Sequence, residues 1–105
     1  MSVRKIASKD EFKGLMSENA LVIVDYFATW CPPCRMIAPW LEEQAKAFDG
    51  KVVFAKVDVD ELEDVAAEQK IQCMPTFEFF KGGAAVARIE GADKAGISSK
   101  IQQLA

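Results

Sequence analysis

Residues Leu21–Ala28 read Leu-Val-Ile-Val-Asp-Tyr-Phe-Ala. A strand with one wet face alternates apolar and polar side chains, so a nearly unbroken apolar run suits a strand buried on both faces of a sheet. Such a strand needs covering layers on either side. Where the run gives way to a helix stands Trp30-Cys31-Pro32-Pro33-Cys34-Arg35. A disulfide requires Cβ atoms about 3.5–4.5 Å apart, and side chains at i and i+3 on a helix start roughly 5–6 Å apart. A modest distortion of the first turn closes that gap, so the spacing predicts a pair that forms and breaks a disulfide reversibly.

The remaining elements follow from periodicity and punctuation. Val3–Ile6 reads as a short strand. Ser8 with Glu11 forms a capping box ahead of Phe12, Leu15 and Met16 at helical spacing. After the cysteines, Ile37, Trp40, Leu41, Ala45 and Phe48 share one helical face, Pro39 is expected to kink that helix, and Asp49-Gly50 ends it. Val52–Val59 is the next strand. Asp60 with Glu63 is expected to cap a helix whose apolar face is Leu62, Val65 and Ala66. Thr76–Lys81, Gly82-Gly83 and Ala84–Ile89 read as a hairpin with Phe77 and Phe79 in the core, and Ile97, Ile101 and Leu104 mark a last helix. The order βαβαβαββα calls for an α/β fold with a mixed central sheet and helices on both faces. No boundary interrupts residues 1–105, so a single domain is expected.

Composition narrows the chemistry. Thirteen basic and sixteen acidic residues give a net charge of −3, with the basic residues dispersed, which argues against nucleic acid as a partner. Met1–Ile6 lacks the apolar core of a secretory signal, and no run approaches the ~18 apolar residues of a membrane span. A cytoplasmic protein without a membrane partner is therefore expected, although a chain trimmed of its targeting segment would read the same. Three cysteines and no histidine leave a zinc site short of its usual four Cys/His ligands. Arg35 stands where a haem-attachment motif needs histidine. Nucleophilic catalysis by a Cys–His or Ser–His pair is excluded.

With Cys31 as the helix N-cap, its sulfur faces the positive end of the helix dipole. An N-cap side chain accepts from the second or third helical N–H. Pro33 has none, which leaves the Cys34 amide as donor. Cys31 is thus expected to be the exposed, activated nucleophile, since the thiolate is the attacking form. Cys34, one turn in, is the shielded resolving thiol. Asp25 interrupts the apolar strand upstream, and two readings stand side by side. Either it is desolvated, with a raised pKa that lets it take the Cys34 proton, or it has water access or simply pairs with Lys56 on a neighbouring strand. Met74-Pro75-Thr76 precedes a strand; about one X–Pro bond in twenty is cis in folded proteins, so by itself this reads as a trans proline opening a strand.

Taken together, Val24-Asp25, Ala28-Thr29-Trp30-Cys31-Pro32-Pro33-Cys34, Met74-Pro75-Thr76-Phe77 and Gly91-Ala92 resemble the thioredoxin family over essentially the full chain. The stretch from Trp30 to Pro39, with Lys56-Val57-Asp58-Val59-Asp60-Glu61-Leu62, is similar to the plant h-type members. Cys73–Phe77 resembles the animal cytosolic ones. The resemblance implies a five-stranded mixed sheet flanked by four helices, and a protein-disulfide reductase. It implies Cys31 as nucleophile, Cys34 as resolving thiol, and Asp25 as a proton shuttle assisted by Lys56. It also implies a cis bond before Pro75, with the Met74 backbone pairing to an extended substrate segment. Trp30, Pro33, Met74, Pro75, Gly91 and Ala92 would line the shallow groove that holds it. No bound cofactor is implied; electrons would come from NADPH through a thioredoxin reductase. The resemblance also implies the lowered thiol pKa that CxxC motifs of this kind show. One departure stands out: the residue after Cys31 is usually Gly, and here Pro32 removes an N–H near the thiolate, while Pro33 after it disfavours a helical conformation at position 32. Tryparedoxins and nucleoredoxins share Trp-Cys-Pro-Pro-Cys, but their typical length and flanking sequence do not fit.

Cys73 reads either as a small half-buried loop residue or as an exposed regulatory thiol beside the groove, which would link an otherwise monomeric protein into a dimer on oxidation. Trp40 reads as packing, and Asp58, Asp60, Glu61, Glu63 and Asp64 as a solvated acidic face. Two further functions compete with the reductase: an oxidant or isomerase, weakened by the missing signal peptide, and a groove that binds partners when the dithiol is reduced.

Overall fold

The computed structural model describes residues 2–18 and 20–105. Among them the chain runs β1 (Arg4–Lys5), α1 (Lys9–Met16), β2 (Leu21–Phe27), α2 (Pro32–Ala47), β3 (Val52–Asp58), α3 (Glu63–Glu68), β4 (Thr76–Lys81), β5 (Ala84–Glu90) and α4 (Lys94–Leu104). This is the expected order. The five strands form one mixed sheet in the order β1-β3-β2-β4-β5. β1 and β2 lie parallel to β3, whereas β4 is antiparallel to β2 and β5.

β2 occupies the middle, and Leu21 through Tyr26 are all buried. Alternate side chains enter two separate cores, as two-faced burial requires. Val22, Val24 and Tyr26 join Phe12, Leu15 and Met16 of α1 and Val65 of α3. Leu21 and Ile23 join Ile37, Leu41 and Ala45 of α2 and Ile97 and Ile101 of α4, with Trp40 and Phe48 packed alongside. Trp40 is thus a packing residue.

Several boundaries differ from the sequence reading, each for a local reason. β1 shrinks to Arg4–Lys5, whose partners on β3 are Ala55 and Lys56. β2 stops at Phe27, because the Ala28 carbonyl accepts from Cys31 N–H (3.2 Å) in the turn that leads into α2. β3 stops at Asp58, whose carbonyl takes up the N–H groups of Glu61 and Leu62. β5 runs one residue further, to Glu90. The capping box of α1 forms, with Ser8 Oγ accepting from Glu11 N–H at 3.1 Å, while the Glu11 carboxylate reaches back to Ala7 N–H at 2.7 Å. The helix after the cysteines continues through Pro39 to Ala47.

The expected cap at Asp60 does not form. α3 begins after Leu62 with no side-chain cap. The Asp60 amide donates instead to Asp58 Oδ1 (2.9 Å), and its carboxylate accepts from Trp30 Nε1 (3.0 Å). Asp58 is itself buried, so it does not belong to the solvated acidic face. At the hairpin, Gly82 and Gly83 have φ of 61° and 83°, the left-handed pair that a two-residue turn with right-handed strand twist demands.

Candidate active site

The cysteines sit where β2 hands over to α2. Cys31 is the N-cap of α2, in extended conformation, and the Cys34 amide donates to its sulfur at 3.3 Å. The donor is the one left by the missing N–H of Pro33. Cys31 and Cys34 are joined as a disulfide, with Cα atoms 5.3 Å apart. The expectation of an exposed Cys31 is corrected: both cysteines are buried at 4% exposure. Together with Ala28 they form a small cluster against Phe27, Val59 and Met74. The Cys31 sulfur lies 3.5 Å from the Met74 carbonyl oxygen, and the Met74–Pro75 bond is cis.

The proposed groove residues differ in exposure. Trp30 is 62% exposed, too open for a core residue, and its indole is held by Asp60. Pro33 and Ala92 are exposed, Met74 and Gly91 half-buried, and Pro75 buried. Gly91 is tied to the proline, its N–H donating to the Pro75 carbonyl at 2.8 Å. Cys73 is exposed rather than half-buried, and Thr76 Oγ1 donates to its carbonyl at 2.7 Å.

Asp25 lies on the face of β2 that looks toward α2, at 5% exposure. Its Oδ1 finds no hydrogen-bond partner among the described residues. Burial pushes its pKa up to about 7, against a smaller downward pull from Lys56. Desolvation penalises the charged form, and no bond offsets that penalty. Lys56 is its register neighbour on β3, yet no ion pair joins them among the described residues. The ammonium stands 5.7 Å from the centre of the Phe27 ring, within cation–π reach. Asp25, Cys34, Arg35 and Lys56 all line a cleft of about 210 Å³, which brings the buried carboxyl and the second cysteine to one space. Asp25 is thus buried and forms no ion pair with Lys56 among the described residues, and it borders the cleft.

The sequence reading passed over several residues. Arg35 donates to the Thr29 carbonyl at 2.7 Å, bracing the loop before Cys31. Met36, in the first turns of α2, is 78% exposed. Glu78 of β4 is buried and pairs with the partly exposed Arg88 of β5. A basic residue directly after a CxxC was a legible signal for Arg35; the others depend on tertiary placement.

With this geometry in hand, comparison with known proteins gives one result throughout. A family model described as Thioredoxin matches residues 3–103. Thioredoxin 1 of Plasmodium falciparum is 44% identical over 103 residues, covering 98% of each chain. Thioredoxin H4 of Arabidopsis thaliana is 49% identical over 83 residues, which is 79% of this chain and 70% of that one. Among solved structures, Plasmodium falciparum thioredoxin superposes with a TM-score of 0.93 at 44% identity, covering 98% of this chain and all of that one.

Proposed function

From the membership of this chain in the thioredoxin family, which makes it a thiol–disulfide oxidoreductase acting through Cys31 and Cys34, we propose the following division of labour. In the reduced enzyme the Cys31 thiolate attacks one sulfur of a protein disulfide. A Cys31–substrate disulfide forms and the other substrate sulfur leaves as a thiolate. Cys34 then loses its proton to Asp25 and attacks the Cys31 sulfur. That closes the Cys31–Cys34 disulfide and expels the second substrate thiolate, which takes up the proton. The substrate gains two electrons from the Cys31–Cys34 pair; the Cys34 proton goes to the second substrate thiolate, and the first takes its proton from solvent, matching the one Cys31 gave up on becoming a thiolate.

The observation that carries this reading is the placement of Cys31 between the Cys34 amide and the Met74 carbonyl. The amide and the helix N-terminus favour a thiolate there. The nearness of the Met74 main chain to Cys31 supports its role in pairing with an extended substrate. Asp25 has the burial and raised pKa that a proton acceptor near neutrality needs, with Lys56 moderating its charge. Trp30, Pro33, Pro75, Gly91 and Ala92 complete the groove. Electrons return from NADPH through a thioredoxin reductase, with no bound cofactor; the protein works as a single cytoplasmic domain, monomeric unless Cys73 is oxidised.

Replacing Cys34 by Ser tests the sequence of steps. The variant is expected to accumulate disulfide-linked adducts on Cys31 when given oxidised protein substrates, because the resolving step is gone. Adducts on Cys73 instead, or none, would overturn the assignment of nucleophile.

A further inference from the structure

On the opposite face of the sheet, a polar cluster built on the buried Tyr26 and Glu78 and the partly exposed Arg88 takes no part in the exchange chemistry. Glu78 is 4% exposed on β4. Both its carboxylate oxygens are occupied: Tyr26 OH donates to Oε1 at 2.7 Å, and Arg88 Nη2 to Oε2 at 3.0 Å. Burial and the bond to Glu78 hold the Tyr26 phenol well above its ordinary pKa, so it stays a donor. Arg88 meets Glu78 because the hairpin slips. The Gly82-Gly83 turn pairs Lys81 with Ala84 and Phe80 with Ala85, and an unbroken ladder would then set Ala87 opposite Glu78. An irregularity between Phe79 and Phe80 shifts the register by one and puts Arg88 there. A one-residue shift exchanges the two faces of a strand, and it brings the guanidinium to the acid.

The same guanidinium also closes α3. Nη2 donates to the Gln69 carbonyl at 2.5 Å and Nη1 to the Lys70 carbonyl at 3.3 Å. Lys70 ends this helix in left-handed conformation (φ 57°). Its N–H bonds to Ala67 O, and that of Ile71 to Ala66 O, the double closure of a Schellman end. Three residues then separate Lys70 from Met74. Beyond the proline, Gly91, the residue after β5, holds the Pro75 carbonyl. The segment that sets the Met74 main chain beside Cys31 is thus clamped at both ends by β5 and its continuation.

We propose that Arg88 is a positioning residue for protein substrates: through Glu78 and the Gln69 and Lys70 carbonyls it fixes the Ile71–Pro75 segment, and with it the Met74 main chain that an extended substrate pairs with. This rests on the reading of that segment as the substrate-pairing wall. A planar guanidinium serves three acceptors in fixed directions, which a single ammonium does not. A small disulfide without a peptide backbone needs no such wall and reacts at Cys31 regardless of it.

The test compares reduction of insulin with reduction of dipyridyl disulfide by Arg88→Gln. A Glu78→Gln/Arg88→Gln double variant, which leaves no unpaired buried carboxylate, serves if the single change impairs folding. KM for insulin is expected to rise roughly three- to tenfold with kcat little changed. The rate with dipyridyl disulfide and the Cys31–Cys34 potential are expected to be unchanged. A purely structural role would lower the melting temperature and leave the ratio of the two activities intact, which overturns the proposal. Ala92→Trp, which obstructs the groove directly, separates the two ideas. If it raises the insulin KM and the Arg88 variants do not, the clamp fails and the groove stands. If neither raises it, the groove reading fails and the clamp with it.

Discussion

Asp25 concentrates the chemistry of this fold in one side chain. Its pKa rises from 3.8 to about 7, so between those values the folded protein holds a proton that the unfolded chain releases. Stability from this group is therefore fully present below pH about 4 and is lost as pH climbs through 7. A shift of that size corresponds to a cost on the order of 4 kcal/mol once the carboxyl is ionised. Asp25→Asn should accordingly stabilise the oxidised protein by several kcal/mol at pH 8 and by little at pH 4, as measured by denaturant unfolding at both values. The same variant is expected to slow resolution of the mixed disulfide by about a hundredfold or more near neutral pH, a typical loss for a missing general base. A stability gain independent of pH would show that ionisation of Asp25 is not the origin of the cost. The burial itself was legible: one carboxylate inside the Leu21–Ala28 run has few places to go. Which face it takes was not, because that depends on which helices cover the sheet.

Among the elements, reading was reliable where a motif is local and failed where a distant partner intervenes. Ser8 with Glu11, and the Gly82-Gly83 turn, satisfy their own backbone and formed as expected. Asp60 offered the same kind of local cap but bonds Trp30, thirty residues away, and Leu62 takes the N-cap position. Glu78 went unread for a related reason. Its alternation with Phe77 and Phe79 suggests a wet face, yet β4 lies between β2 and β5 with both faces covered, so the acid is buried and needs Arg88. The hairpin irregularity that pairs them leaves no trace in the turn residues. Cap energetics give a direct check at α4, where Asp93 accepts from Gly96 N–H at 2.9 Å. Asp93→Ala is expected to destabilise by about 1 kcal/mol in thermal or urea unfolding; an unchanged midpoint would mean the cap is idle.

At the scale of the whole molecule, the handover from a doubly buried strand to a helix that begins with a cysteine unites fold and activity. β2 must be central to bury both faces, and α2 must pack against it. The dithiol then lies at the helix N-terminus, above a desolvated carboxyl and beside the Met74 main chain. The helix-capping cysteine was legible because it is local and follows from two-faced burial; the Met74 contact came only from the family resemblance, because it joins segments 43 residues apart. The sequence left open the exposure of Cys73, since a loop thiol's surroundings are set by the elements around it. That thiol is now seen to be exposed. A covalent dimer is therefore expected in oxidised preparations and lost in Cys73→Ser, as read by non-reducing mass analysis. Monomer alone, with Cys73 freely alkylated, would remove the dimer from consideration. Function at this scale is a direction of electron flow, which the Cys31–Cys34 potential fixes. An equilibrium titration against defined glutathione ratios, followed through Trp30 fluorescence, is the most direct measurement. A potential below the cytosolic glutathione poise of about −220 to −260 mV is expected for a reductant of protein disulfides. A value well above that range would contradict the reductase and mark the pair as an oxidant.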